Sequence, residues 1–344
     1  MQYRTLGRTG IKVSPYALGA MMFGQAAGAG NPDHDDAIRI IHTALDAGIN
    51  VVDTADVYSY GESEEVVGKA LKGRRDGVVL ATKLSRPMGD DPNQQGTSRR
   101  WIMTAVENSL RRLQTDHIDL YQVHKLDPDT DSEETLSALT DLIRAGKVRA
   151  IGSSNPPVVD IGDAQWLAER RGLERFRTEQ LPYSILNRGA ENDLLPAAQR
   201  YGLGTLVWGP LGQGMLTGRV RKGQQNDLSR ARYFKHLNDE RRIDVVEQLI
   251  PLADEAGLPL THLAIAFTTA HPGVTSTLLG ARTMEQVDDL LNGVGVVLTD
   301  DILDRIDEIV PPGADVTRLD QAYVPPPVMD PNLRRRPVSE RSAA

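Results

Sequence analysis

Four residues have side chains and spacing suited to proton transfer: Asp53, Tyr58, Lys83 and His124. A phenol is a weak acid with an ordinary pKa of about 10, so Tyr58 needs a nearby cation to donate a proton rapidly at neutral pH. Lys83 is the best candidate for that cation, and Asp53 would keep a buried Lys83 charged and in place. His124 can hydrogen-bond to a carbonyl oxygen or relay a proton. Together they would polarise an oxyanion and protonate it.

Three of these residues directly follow an apolar run that is typical of a buried strand, and Tyr58 lies five residues after Asp53, where the loop begins. Asp53 follows the run INVV, Lys83 follows VVLAT, and His124 follows IDLYQV. Taken singly, such a side chain usually has only a packing or surface role. Their shared position favours a site, because the ends of neighbouring parallel strands lie about 5 Å apart.

The chain alternates between predicted strands and helices, which implies parallel strands with right-handed crossovers. Eight such units predict the α/β fold called a (β/α)8 or TIM barrel, whose chemistry lies at the carboxyl ends of the strands. Residues 3–6 and 11–13 flank a glycine-containing turn and predict an N-terminal β-hairpin that caps one end. The predicted barrel strands are 17–19, 49–52, 78–82, 118–123, 148–151, 176–180, 205–208 and 275–279.

Two segments depart from the repeat. The loop after the seventh strand, from Gly209 to about Leu237, is long enough to predict a functional loop or lid. Residues 311–344 are rich in proline and arginine, and we interpret them as an extended tail that passes near the barrel mouth and then becomes disordered, with a role in partner binding left open. The predicted domains are therefore a barrel over residues 1–310 and a tail over residues 311–344.

Composition excludes several classes of protein. The net charge of -8 argues against a nucleic-acid partner, because phosphate binding needs clustered lysine and arginine. The chain has no cysteine, which excludes disulfides, thiolate nucleophiles and cysteine-bound zinc, and fits a cytoplasmic protein. No apolar signal segment or run of 18 apolar residues is present, so we expect no contact with a membrane. The seven histidines lack the spacing of a metal site, and we expect no metal.

Two glycine-containing loops are candidates for phosphate binding, whereas the Rossmann and Walker motifs are absent. The loop 209–214 after the seventh strand precedes Gly218 and Arg219, and its backbone N–H groups could cradle a pyrophosphate. The loop that begins at Gly280 opens a helix, and Arg282 within it could clamp a further phosphate. Either loop alone could be a plain glycine turn, but loops seven and eight form the common phosphate site of such barrels.

At these residues the chain closely resembles the aldo-keto reductase superfamily, in particular its bacterial branch related to the potassium-channel β subunits. The resemblance extends from the hairpin to about Val310, and the segment SLRRLQTDHIDLYQVH at residues 109–124 is highly specific. It implies a (β/α)8 barrel that uses NAD(P)H without a metal. The other matching segments are 48–55, 58–64, 81–83, 151–155, 280–282 and 285–286.

The resemblance also implies a role for individual residues. Tyr58 would be the general acid, Lys83 and Asp53 would tune it, and His124 would orient the carbonyl group. Arg282 favours a 2′-phosphate, hence NADPH as cofactor over NADH. The residues that match cofactor contacts are Ser154, Asn155 and Gln180 at the nicotinamide carboxamide, Trp208 on the nicotinamide ring, Gly209, Pro210, Leu211, Gly212, Gly214, Arg219 and Arg230 on the pyrophosphate side, and Gly280, Arg282 and Gln286 on the adenosine side, where Asp289 replaces the usual asparagine.

An oxidoreductase that reduces an aldehyde or ketone to an alcohol with NADPH is the function that the resemblance implies. Met22, Phe23 and Trp101 are expected at the barrel mouth beside Tyr58 and Trp208, where they would favour an apolar or aromatic carbonyl or the face of a sugar. One alternative is a narrower sugar or nucleotide-sugar ketoreductase, and another is an NADPH-sensing regulatory subunit. The sequence leaves open the substrate, the favoured direction and whether the chain forms a homo-oligomer.

Overall fold

The computed structural model describes residues 1–25, 30–224, 235–318, 321 and 323–341, with Lys235 and His236 described in backbone only. Its strands are β1 Arg4–Thr5, β2 Lys12–Val13, β3 Tyr16–Gly19, β4 Val51–Asp53, β5 Val79–Leu84, β6 Ile118–Val123, β7 Val148–Ser154, β8 Thr178–Pro182, β9 Gly204–Trp208 and β10 Ser276–Leu279. Strands β3 to β10 close into a barrel of eight parallel strands, in which β10 pairs with β3 and β9. The predicted (β/α)8 fold is confirmed.

Helices lie between successive strands, and their starts follow from the sequence. The side chain of Asp33 accepts hydrogen bonds at the start of the first helix, and Ser98 caps the third in the same way. The helices are α1 His34–Asp46, α2 Glu62–Ala70, α3 Arg99–Leu113, α4 Ser132–Arg144, α5 Val158–Arg171, α6 Leu194–Tyr201, α7 Glu240–Glu255, α8 Leu260–Ala270, α9 Met284–Asn292, α10 Asp300–Ile309, α11 Pro326–Met329 and α12 Pro331–Arg334.

The antiparallel hairpin β1–β2 closes the end of the barrel where the strands begin. Leu6 and Val13 are buried in one cluster with side chains from inside the barrel, including Val51 and Leu206. Gly7 has a φ of +55°, and a Cβ there would lie 2.6 Å from a backbone nitrogen of β9, so only glycine allows the hairpin to approach this closely. The opposite end, where the strands finish, is left open for a site.

The described residues directly after 310 lie against the loop that follows β8. Val316 donates a backbone hydrogen bond to Leu186 at 3.0 Å, and Thr317 is buried. Beyond Thr317, α11 and α12 are short helices. Each has a proline in its first turn, where a missing N–H group is tolerated, and this explains why proline-rich sequence becomes helical here.

A buried arginine connects the end of α10 to the loop after β8. Arg188 forms ion pairs with Glu191 at 2.8 Å and Asp307 at 2.6 Å, and donates to the Val310 carbonyl at 2.7 Å. Glu191 also accepts the backbone N–H of Gly313 at 2.8 Å. Burial raises the pKa of Glu191, but hydrogen bonds from Arg188 and other donors lower it by more than burial raises it. The net pKa is therefore below the ordinary value.

Replacement of this arginine tests how much the network contributes to stability. We expect Arg188→Met to lower the free energy of unfolding by about 3 kcal/mol, because it leaves Glu191 without its buried counter-ion. Urea unfolding followed by circular dichroism measures the change. The control is Arg305→Met, which removes a surface ion pair with Glu255 and should leave the midpoint nearly unchanged. Equal midpoints for the two variants would contradict the assignment.

Candidate active site

The segment after β4 places Tyr58 back over the open end of the barrel. Thr54 and Asp56 donate backbone hydrogen bonds to carbonyls of β5, at 2.9 and 3.1 Å, which holds the segment against that strand. A 3-10 turn, Tyr58–Gly61, then reverses the chain into α2, with φ values of 50° at Ser59 and 53° at Tyr60. Left-handed conformations are costly at residues other than glycine, and strain of this kind is concentrated at functional sites.

Lys83 and Asp53 form a buried ion pair between adjacent strands. The Lys83 ammonium also donates to the Thr54 carbonyl at 2.9 Å and to the Tyr58 hydroxyl at 3.3 Å. Its three protons therefore have three acceptors. The free oxygen of Asp53 accepts amide hydrogen bonds from Gln122 at 3.0 Å and Gln180 at 2.9 Å. Both charges are thus compensated, as burial requires.

This environment sets the protonation state of Tyr58. Burial raises its pKa, the positive charge of Lys83 lowers it, and the negative charge of Asp53 raises it, with a net pKa above the ordinary value. Lys83 therefore acts in the predicted direction but does not outweigh burial. Burial also lowers the pKa of Lys83, yet Asp53 and Tyr58 raise it more, so its net pKa lies above the ordinary value. At neutral pH the phenol keeps its proton and the ammonium keeps its charge.

His124, directly after β6, stands edge-on to the Tyr58 ring, with the centroids 5.7 Å apart and an angle of 88° between the planes. Burial and the positive charges of Lys83 and Arg86 lower its pKa to about 3, so the ring is neutral at neutral pH. Its buried Nδ1 has no hydrogen-bond partner among the described residues. A neutral imidazole offers one N–H group to an oxygen placed between it and Tyr58.

A cavity of about 690 Å³ opens at this end of the barrel, within the size range of small-molecule sites. Lys83 lies beneath its floor, at 0% exposure. The cavity brings together most of the residues proposed from the sequence. Those that line it are Met22, Asp53, Tyr58, His124, Ser154, Asn155, Gln180, Trp208, Gly209, Pro210, Leu211, Gly214, Arg219, Gly280, Arg282, Gln286 and Asp289.

Besides Lys83, three proposed residues of the described part do not line the cavity. Phe23 and Trp101 were expected at the mouth, but they pack in the core between the barrel and its helices at 0% and 5% exposure. The turn at residues 21–23 exposes Met21 instead, and Trp101 lies on the buried face of α3. Gly212 is also buried, and its N–H group is used in a turn to Gly209 at 2.8 Å. Arg230 lies outside the described residues.

Several residues at the site were not predicted from the sequence. Gln122 and Glu179 lie inside strands, and a polar residue within an apolar run is a signal, because a buried polar group needs a partner. Arg86 is three residues after Lys83, in the loop that follows β5, and only its position in space distinguishes it from an ordinary surface arginine. The cavity residues not proposed earlier are Gly19, Met21, Val57, Arg86, Gln213, Thr217, Leu237, Thr261, Leu278, Leu279 and Leu290.

A chain of polar contacts crosses from β7 to β9 on one wall of the cavity. The Trp208 indole donates to the Asn155 side chain at 3.1 Å, and Asn155 donates to the Ser154 hydroxyl at 2.7 Å. Beneath them, Glu179 accepts the Asn155 backbone N–H at 2.9 Å and the Ser153 hydroxyl at 2.6 Å. Burial raises the pKa of Glu179 to about 8, although these hydrogen bonds lower it. The hydrogen bond from the Asn155 backbone N–H to Glu179 helps to hold Asn155 in its left-handed conformation, with φ at 58°.

The adjoining wall, formed by the loops after β9 and β10, exposes backbone and positive charge. At Gly209, Gly214 and Gly280 an added Cβ would meet no atom within 4 Å, so the backbone faces open space. The guanidinium groups of Arg219 and Arg282 make no hydrogen bond or ion pair with a described residue. These groups suit the phosphates of a dinucleotide.

Within the described ranges, no group of three or more histidine, aspartate or glutamate side chains could hold a metal ion. No helix in those ranges has the length and apolar character needed to cross a bilayer.

Comparison with known proteins identifies relatives over nearly the whole chain. A model of the aldo/keto reductase family matches residues 16–311. The uncharacterized oxidoreductase YrpG of Bacillus subtilis (strain 168) is 40% identical over 327 residues, covering 92% of this chain and 98% of YrpG. A probable voltage-gated potassium channel subunit beta of Oryza sativa subsp. japonica is 35% identical over 90% of this chain and 97% of its own. The versiconal hemiacetal acetate reductase of Aspergillus parasiticus is 32% identical over 91% of this chain and 98% of its own.

The protonation state of His124 can be measured directly. We expect its ring to stay neutral from pH 8 to pH 5, because its pKa is lowered to about 3, whereas the unfolded chain takes up this proton near pH 6.5. Protons therefore favour the unfolded state in this window, and the contribution of His124 to stability is lost as pH falls below about 6.5. NMR titration of labelled histidines, assigned with His124→Asn, measures the pKa, and a midpoint near 6.5 would refute the assignment.

Proposed function

The chain belongs to the aldo/keto reductase family, and from this premise we propose that it is an NADPH-dependent reductase that converts an aldehyde or ketone to an alcohol. The proposal is carried by one observation: the Tyr58 hydroxyl accepts a hydrogen bond from the buried, charged Lys83 beside a cavity. A protonated phenol next to a fixed cation is suited to proton donation and not to nucleophilic attack.

Reduction of a carbonyl group requires a hydride at carbon and a proton at oxygen. NADPH, when bound, supplies the hydride. Tyr58 donates its proton to the carbonyl oxygen, and Lys83 stabilises the phenolate that remains until solvent reprotonates it. The neutral His124 ring donates a hydrogen bond to the same oxygen and so orients the carbonyl. Asp53 keeps Lys83 charged throughout and does not itself exchange a proton.

The two walls of the cavity have different proposed roles in holding the cofactor. Ser154, Asn155 and Gln180 would bind the nicotinamide carboxamide, and the Trp208 ring would pack on the nicotinamide. The open glycine backbones and Arg219 would bind the pyrophosphate, and Gly280, Arg282, Gln286 and Asp289 the adenosine end. Gln180 would then connect cofactor binding to the proton-donating residues, because its amide also donates a hydrogen bond to Asp53 at 2.9 Å.

A regulatory role is the second candidate, since a relative with 35% identity is named as a probable channel subunit. Such a protein would bind NADPH and turn over carbonyl compounds very slowly. A sugar or nucleotide-sugar ketoreductase would share the chemistry proposed here with a narrower choice of substrate. Steady-state turnover across a panel of aldehydes, ketosteroids and keto-sugars distinguishes these candidates.

Removal of the phenol hydroxyl tests the proposed acid. We expect Tyr58→Phe to reduce kcat by at least about 100-fold, because proton donation contributes that much or more, while the Kd for NADPH changes less than about twofold. NADPH oxidation and fluorescence titration measure the two quantities. The control is Tyr60→Phe, which removes the hydroxyl of a side chain that is 78% exposed and should leave turnover unchanged. Near-full turnover by Tyr58→Phe would overturn the assignment.

Cofactor titration tests the proposed choice of NADPH. We expect Arg282→Ala to raise the Kd for NADPH by about tenfold, or 1.4 kcal/mol, and to change the Kd for NADH much less, because only NADPH carries the 2′-phosphate. Arg219→Ala is the matched comparison, since loss of a pyrophosphate contact should weaken both cofactors alike. An equal loss of affinity for NADPH and NADH in Arg282→Ala would contradict the proposed contact between Arg282 and the 2′-phosphate.

A further inference from the structure

Arg86 is a charged residue in the cavity wall that the reaction proposed above does not use. It is exposed and lines the cavity, and its guanidinium makes no hydrogen bond or ion pair with any residue that the structure describes. Surface arginines without partners are common, but most do not face a site. The position of Arg86 relative to the reacting groups therefore decides whether it can contribute to substrate binding.

The loop that carries Arg86 is held firmly beside His124. Ser85 accepts the Lys125 backbone N–H on its hydroxyl at 3.0 Å and the Gly96 N–H on its carbonyl at 2.9 Å. His124 itself donates a backbone hydrogen bond to Leu84 at 2.9 Å. Ser85 also has a φ of 104°, a strained value that persists only where the surroundings enforce it. Arg86 is thus presented from a constrained backbone.

Arg86 lies across the barrel from the loops proposed to bind phosphates. It follows β5, whereas those loops follow β9 and β10, which are four and three positions away in the closed order of strands. Its charge acts on His124 and helps to lower the pKa of the ring, although burial and the charge of Lys83 lower that pKa more. Arg86 is therefore at the end of the cavity where the reacting carbonyl would lie.

The other groups around this end leave the arginine charge unopposed. Among the described residues that line the cavity, the only carboxylates are Asp53, which is paired with Lys83, and Asp289, which follows β10 on the far side. Met21, Met22 and Val57 supply apolar surface. A guanidinium beside apolar walls binds a carboxylate or phosphate through two parallel hydrogen bonds.

We propose that Arg86 is the anion-binding residue of the substrate site, and that the preferred substrates are carbonyl compounds that carry a carboxylate or another anionic group. This inference rests on the proposed reductase function and narrows its substrate class. The apolar side chains pack against the body of the substrate, Arg86 holds its anionic group, and Tyr58 and His124 meet its carbonyl oxygen.

Matched pairs of aldehydes test the proposal. The probes are 3-formylbenzoate and 4-formylbenzoate, which place the carboxylate at two distances from the carbonyl, and the methyl ester of each. For at least one pair we expect kcat/KM of the wild type to be about tenfold higher for the anion, and this preference to weaken with added salt. Arg86→Gln should lower the ratio of kcat/KM for the anion to kcat/KM for the ester at least tenfold. Arg86→Lys, which keeps the charge, should retain part of the preference for the anion.

The control for net charge is Arg100→Gln, which removes an exposed arginine of α3 outside the cavity and should keep the wild-type ratio. Wild-type ratios near one for both pairs, or equal ratios in Arg86→Gln and the wild type, would overturn the proposed anion site and leave the reductase function standing.

A binding measurement separates this inference from the proposed function. Calorimetric titration of 3- and 4-(hydroxymethyl)benzoate into the protein with NADP⁺ should give, for one of them, a Kd about tenfold lower for the wild type than for Arg86→Gln. Equal binding of both would refute the anion site. If the wild type reduced none of the four aldehydes, the panel of aldehydes, ketosteroids and keto-sugars would decide the reductase proposal, and the titration would separately decide whether Arg86 binds an anion.

Discussion

The buried ion pair between Lys83 and Asp53 is the interaction on which the rest of the candidate site depends. Two charges removed from water are stable only when every remaining proton and lone pair finds a partner. The closed barrel meets this condition because side chains from strands on different sides of it meet at one end of its interior. Asp53 comes from β4 and Lys83 from β5. The amides of Gln122 on β6 and Gln180 on β8 donate hydrogen bonds to the carboxylate oxygen of Asp53 that does not pair with Lys83. The third proton of the ammonium then remains for Tyr58.

Burial has two opposite consequences around this pair. It keeps the Tyr58 phenol protonated, and it keeps the His124 imidazole neutral. Lys83 moderates the first effect and strengthens the second, because a positive charge favours a phenolate and disfavours an imidazolium. The result is a proposed proton donor and a neutral hydrogen-bond donor side by side. Both are in their useful forms at neutral pH.

The two sides of the cavity differ in how their charge is balanced. The wall built from β7 to β9 is a closed network in which Glu179, Asn155 and Trp208 satisfy one another. The remaining cations, Arg86, Arg219 and Arg282, have no ionic partners among the described residues. They stand around the open mouth in two groups, one beside the reacting end and two near the glycine loops. This pattern supports a site for a dinucleotide and a second, smaller anion.

Much of this protein could be predicted from its sequence. Alternating apolar runs indicated the barrel, because the periodicity of strands and helices is local, and the position of Asp53, Lys83 and His124 at strand ends indicated a shared site. The placement of Phe23 and Trp101 could not be predicted, since it depends on which way a loop and a helix face turn. The net pKa of Tyr58 and the unopposed charge of Arg86 also required the structure. Both depend on burial and on distances between residues that are far apart in the chain, and only tertiary structure determines these.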